Sequence, residues 1–179
     1  MCSSDLLRAV LFLVVLLLLQ VVVFDHVVLG GYVIPYVYVL GVLLLPFCFG
    51  RGKAMLGAFV VGLVMDLFQQ SGGLHAMACV LTVYLCGPLT GVFFRLSEKE
   101  LEGFDPFTAK NGRTAGLSLL LVLLLIQYLV LYWVEAGRFS ALPSALGHAF
   151  LGAGVTFAVS VVILSLNSVR SGRSRRRQW

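Results

Sequence analysis

Asp66 is the acid set furthest inside an apolar stretch of this chain, LGAFVVGLVMDLFQQSGGLHAMACVL, residues 56–81. A carboxylate at mid-bilayer depth costs about 3 kcal/mol on insertion scales, and less near the interface. Asp66 is therefore expected to face protein, a wet cavity or the polar residues that follow it. Three chemistries fit such a group. A proton or cation site calls for further acids or bases in opposing spans, and only Glu135 and His148 offer themselves, both near span ends. A metal site would draw on Asp66, His75 and His148, whose spacing lacks the regularity of a ligand motif such as HExxH. The third role is architectural, and it is the one expected. Gly72 and Gly73 permit a tight reversal. The next helix would then present its free N–H groups and positive end, near Leu74, His75 and Ala76, to the carboxylate. The chain carries no GxSxG with a spaced acid and histidine, no P-loop and no CxxC. A noncatalytic protein without a cofactor is expected.

The elements that position these residues follow from composition. The chain has 179 residues, 60% of them hydrophobic and 12% charged. A soluble domain of that size cannot cover so much apolar side chain. An all-α integral membrane protein with one membrane domain is expected, since helices satisfy their own backbone in lipid. Six spans can be placed, at 6–24, 32–49, 53–70, 74–94, 115–136 and 142–167. The first is read as a retained span, because no small-residue cleavage site follows it. In the second, Pro35 and Pro46 fall near the ends, where helix breakers do least harm. The fifth, LSLLLVLLLIQYLVLYW, is almost uniformly large and aliphatic and is expected to face lipid. The sixth carries small residues at Gly147, Gly152, Ala153, Gly154 and Ala158, a surface for close helix packing. Cys2, Cys48, Cys79 and Cys86 read as small buried hydrophobes.

Every Lys and Arg except Arg138 falls on one side of this arrangement. The positive-inside rule then puts both termini in the cytoplasm. The sizeable connector, residues 95–114, lies on that side, with Leu101, Phe104 and Phe107 as an apolar edge for headgroups or a cytoplasmic partner. The basic tail, 168–179, carries Arg170, Arg173, Arg175, Arg176 and Arg177 directly after a span. Placed there, the arginines meet anionic lipid at about 1 kcal/mol each and hold topology. Nucleic acid is not an expected partner.

The stretch LGAFVVGLVMDLFQQSGGLHAMACVLTVYLCGPL closely resembles the characteristic segment of the bacterial rod shape-determining MreD family. That family carries glycines before a membrane-embedded aspartate, a glycine-containing turn, often Gly-Leu-His-Ala, and a helix with an aromatic. The matching positions are Gly57, Gly62, Asp66, Gly73, Leu74, His75, Ala76 and Tyr84. The resemblance implies a noncatalytic scaffold of the bacterial inner membrane, active in peptidoglycan synthesis and cell shape. It implies MreC as direct partner, within an elongasome that includes MreB, RodA and a class B penicillin-binding transpeptidase. It further implies a six-helix bundle similar to the substrate-binding subunits of energy-coupling-factor transporters. One departure stands out. Many family members have an arginine shortly after the aromatic, whereas Tyr84 is followed by Leu85, Cys86 and Gly87. The alternative reading is a small-molecule carrier or the substrate-binding subunit of a transporter. It requires Asp66, Gln20, His75, Thr82, Gln127, His148 and Thr156 to share one connected surface.

Overall fold

A computed structural model describes residues 3–24, 34–96, 100, 104–107, 112–137 and 142–175. They form six helices: α1 (Ser3–Val22), α2 (Tyr38–Phe49), α3 (Arg51–Gln69), α4 (Leu74–Phe94), α5 (Arg113–Ala136) and α6 (Leu142–Arg175). Four of them, α3, α4, α5 and the 146–166 portion of α6, are long and apolar enough to cross a membrane. The chain is a multi-pass helical membrane protein. Chain reversals sit on left-handed residues: Gly50 (φ 72°) between α2 and α3, and Gly72 (φ 65°) with Gly73 (φ 99°) between α3 and α4. A side chain is strained in that region, which is why glycine holds most of these positions.

The second helix departs from the expected span. It begins at Tyr38 and has 12 residues, about 18 Å of rise, too short to cross alone. Residues 34–37 are not helical, and residues 32 and 33 lie outside the described residues. Pro35 accounts for Ile34, since the residue before a proline is pushed out of helical geometry. Pro46 sits inside the helix, one turn from its end. Nine of the twelve residues of α2 are buried, so α2 is the central helix and not a lipid-facing span. It packs on α1, α3 and α4, while α4 packs on α5 and α5 on α6. Gly41 lets α1 lie close, because a Cβ there would stand 2.6 Å from Leu13 Cδ1.

The fifth helix also corrects an expectation. Leu119, Leu120, Leu123, Leu124, Gln127, Tyr128 and Leu131 are buried, so one face of α5 belongs to the core. A helix of uniform leucine has no polar stripe to mark its outer face, and composition alone could not orient it. On α6 the small residues divide between two faces. Gly152 and Ala153 are buried, and a Cβ at Gly152 would collide with the Tyr128 ring. Gly147 and Gly154 have nothing within 4 Å of that position. The described part of the 95–114 connector folds back on the bundle. Phe104 packs against Phe94 and Phe47 at ring-centroid distances of 5.1 and 6.3 Å. The Pro106 carbonyl lies over Gly116, which has no Cβ to exclude it. Phe104 thus serves the bundle's own packing, and Leu101 lies outside the described residues.

Candidate functional site

The last turn of α3 carries Asp66, which is buried at 7% exposure. Helix α4 starts after Gly73, which has no side chain to cap it. Its first free amides would be stranded without a borrowed acceptor. Asp66 supplies one from the preceding helix. His75 N–H donates to Oδ1 at 2.9 Å, Ala76 N–H donates to Oδ2 at 3.0 Å, and the Ser71 hydroxyl donates to Oδ1 at 2.5 Å. The Asp66 backbone carbonyl accepts the Ser71 N–H at 3.3 Å. Leu74 N–H reaches Ser71 O at 3.4 Å, and Met77 N–H makes the first regular helical bond, to Gly73 O at 3.0 Å. Every amide in the first turn of α4 has a partner. The negative carboxylate also lies at the positive end of α4.

Gly62, one turn before Asp66, sets the approach of the two helices. A Cβ there would stand 2.6 Å from Ala76 N and 2.7 Å from His75 O. The backbones of α3 and α4 are in direct contact, so a short aspartate side chain reaches two amides of the neighbouring helix. Gly72 and Gly73, with Gln70 (φ 52°), supply the positive φ values of the reversal. Gly57 is less constrained, since its nearest neighbour is Leu45 Cδ1 at 3.4 Å.

From the clamp a polar network runs into the interior. The His75 ring is buried, and its Nδ1 shares a 2.8 Å hydrogen bond with the Tyr38 hydroxyl of α2. The Cys79 thiol lies 3.8 Å from the same hydroxyl, and Gln127 Nε2 of α5 donates to Cys79 Sγ at 3.6 Å. Thr82 donates to Gln127 Oε1 at 2.5 Å, and its hydroxyl also lies 2.8 Å from Ala78 O. His75, Cys79, Thr82, Cys86 and Thr90 make a buried polar stripe along α4. The Tyr36 ring lies between His75 and Tyr128, with centroids 5.1 and 5.2 Å away. It joins this group to a second one containing Gln20, Tyr128 and Thr156. Six of the seven polar candidates, Asp66, Gln20, His75, Thr82, Gln127 and Thr156, thus belong to one connected interior. The seventh, His148, lies tilted against Tyr132 with ring centroids 5.6 Å apart, and Tyr132 in turn stacks on Tyr128 at 6.0 Å.

Tyr84 stands apart from the clamp. It is 47% exposed, and the Arg51 guanidinium lies 4.4 Å from its ring centroid. An arginine from the start of α3 faces the aromatic. The backbone of α6 continues helically through Arg170 and Arg173 to Arg175. Their side chains, with Arg176 and Arg177, lie outside the described residues. Among the described residues no three of His, Cys, Asp and Glu gather as a metal site. Sequence reasoning missed Ser71, Tyr36, Tyr38 and Tyr128. Ser71 was detectable, a hydroxyl within the turn that Asp66 closes. The tyrosines were not, because a tyrosine in an apolar span reads equally well as an interfacial anchor.

No family model, curated protein or solved structure matches the chain.

Proposed function

We propose that this chain is a noncatalytic scaffold subunit of the rod-shape and peptidoglycan elongation machinery, similar to MreD and binding MreC. The wider assembly would include MreB, RodA and a class B penicillin-binding transpeptidase. One observation carries the reading. The residues of the MreD-like segment from Gly62 to Ala76 meet in a single device, in which Asp66 caps the helix that follows the Gly72–Gly73 turn. A carboxylate held by three donors is suited to fixing a helical hairpin. Affinity purification in mild detergent from a bacterium producing the tagged chain should recover an MreC-type single-span protein. Deletion should round the cells. Recovery of no cell-wall component, with rod shape unchanged after deletion, would sink the proposal.

The proposal includes residence in the bacterial cytoplasmic membrane, six spans and cytoplasmic termini, on the strength of the basic asymmetry. It places anionic lipid headgroups at the basic tail. In this topology α2 crosses together with residues 34–37. Reporter fusions after Gly31, Gly72 and Gly137 should be active in the periplasm, and one after Gly112 in the cytoplasm. A periplasmic signal after Gly112 would overturn the orientation.

The connected polar interior favours a second reading, a small-molecule carrier or transporter subunit. Saturable uptake of a defined solute by the purified chain in liposomes would move that reading ahead of the scaffold.

A further inference from the structure

Helix α4 carries one exposed line along its length: Met77, Leu81, Tyr84, Pro88 and Val92, ending on Arg95. Spacings of three and four residues put the first five on one face. Arg95 is the C-cap of α4 and extends the line at the basic end of the bundle. The other end of the line is aliphatic and runs toward the Gly72–Gly73 turn. Arg51, the first residue of α3, joins this face from the neighbouring helix. Its guanidinium lies over the Tyr84 ring, 4.4 Å from the centroid.

The depth of Arg51 follows from the helix register. Gly62 meets Ala76 across the α3–α4 hairpin, and counting back along α3 sets Arg51 opposite Gly87. From there α4 runs on to Phe94, about 10 Å further. Thr82 meets Gln127 of α5, and the same counting sets Arg95 level with Arg113 at the start of α5. Helices α4 and α5 thus rise past α3 as a step, with Arg51 at its foot and Arg95 at its top. The 19 residues of α3 rise about 28 Å, close to the roughly 30 Å of a hydrocarbon core. Arg51 therefore stands where that core meets the headgroups, which is the level of lipid phosphate.

We propose that this step holds the phosphate of one anionic phospholipid between Arg51 and Arg95, with its chains lying along Leu81 and Met77. Stacking on Tyr84 engages the face of the Arg51 guanidinium, whereas phosphate accepts from the N–H groups in its plane. Arg95, exposed at the top of the step, is long enough to reach down to the same phosphate. Along this face the groups run from cation through aromatic to aliphatic, the order of a phospholipid from headgroup to chain. Lys53 is exposed too, but its side chain leaves α3 about 200° around the helix from Arg51. The site is separate from the basic tail, and it is independent of a scaffold or carrier role.

The test is lipid titration of the full chain, purified in mild detergent and stripped of lipid, with bound lipid counted by native mass spectrometry. In the wild type the first phosphatidylglycerol should bind about tenfold tighter than the first phosphatidylcholine. Arg51→Gln should reduce that preference by about fivefold, leaving phosphatidylcholine binding unchanged. Tyr84→Leu keeps an apolar side chain and should weaken the preference in the same direction. Arg95→Gln should do so as well, and it carries the test if Arg51→Gln lowers the yield. Lys53→Gln should leave the preference as it is. Equal binding of the two lipids by the wild type would overturn the site and leave the face to a partner helix. An equal loss in Lys53→Gln and Arg51→Gln would show a diffuse positive field instead. Displacement of phosphatidylglycerol by excess inorganic phosphate would overturn the assignment to lipid.

Discussion

Gly62→Val should abolish the folded bundle or reduce it to a small fraction of the wild-type yield. The added carbon would meet the backbone of the facing helix, with Ala76 N at 2.6 Å and His75 O at 2.7 Å. Neither can rotate away as the end of a side chain would. Relief requires α3 and α4 to part, which also pulls the carboxylate of Asp66 off the His75 and Ala76 amides. Overpacking a well-filled core costs about 1–3 kcal/mol, occasionally more, and here the loss of two buried hydrogen bonds adds to it. Gly62→Ala should already lower the thermal midpoint in detergent by several degrees. Gly57→Ala is the control: its Cβ would meet only Leu45 Cδ1, at 3.4 Å, and stability should stay within about 0.5 kcal/mol of wild type. Thermal unfolding monitored by size-exclusion profile separates the two. Equal behaviour of the Gly57 and Gly62 variants would refute direct backbone contact as the constraint.

The second large effect is expected at Asp66. Asp66→Leu removes the acceptor of two backbone amides and of the Ser71 hydroxyl, at about 1–3 kcal/mol for each donor left unsatisfied in a buried site. Membrane abundance should fall sharply and, on the proposed scaffold role, MreC co-purification with it. Asp66→Asn keeps one oxygen acceptor in nearly the same volume, but turns an amide nitrogen toward the second backbone N–H. It should retain much of the abundance, part of the co-purification and part of the shape rescue. A carrier that couples transport to charge on Asp66 predicts another balance, with the asparagine variant well folded and nearly inactive. Measuring abundance, co-purification and rescue on both variants distinguishes these cases. Full abundance and full rescue by Asp66→Leu would show that the clamp is dispensable.

Membrane character follows from composition, because 60% hydrophobic residues against 12% charged leave a soluble fold no way to cover its apolar surface. The Asp66 clamp is nearly as accessible from sequence. The carboxylate, the two turn glycines and the recipient amides all lie within ten residues, so their meeting is a local event set by helix geometry and a tight turn. The reach of α2 was decided by tertiary structure. YVIPYVYVLGVLLLPFCF reads as one apolar span, yet Gln20, Tyr128 and Thr156 offer hydrogen bonds that let residues 34–37 stay outside the helix within the protein. Those partners are 17, 92 and 120 residues from the groups they satisfy, and no local pattern announces them. The inward face of α5 was decided in the same way. Its leucines are interchangeable in sequence, and it is the fit of Tyr128 against Gly152 and of Gln127 against Thr82 that turns one side of the helix to the core. Sequence alone therefore determined how apolar the chain is and where it can turn. Which polar groups found one another across the bundle was decided by packing, because a hydrogen bond inside a membrane protein depends on where the partner helix stands.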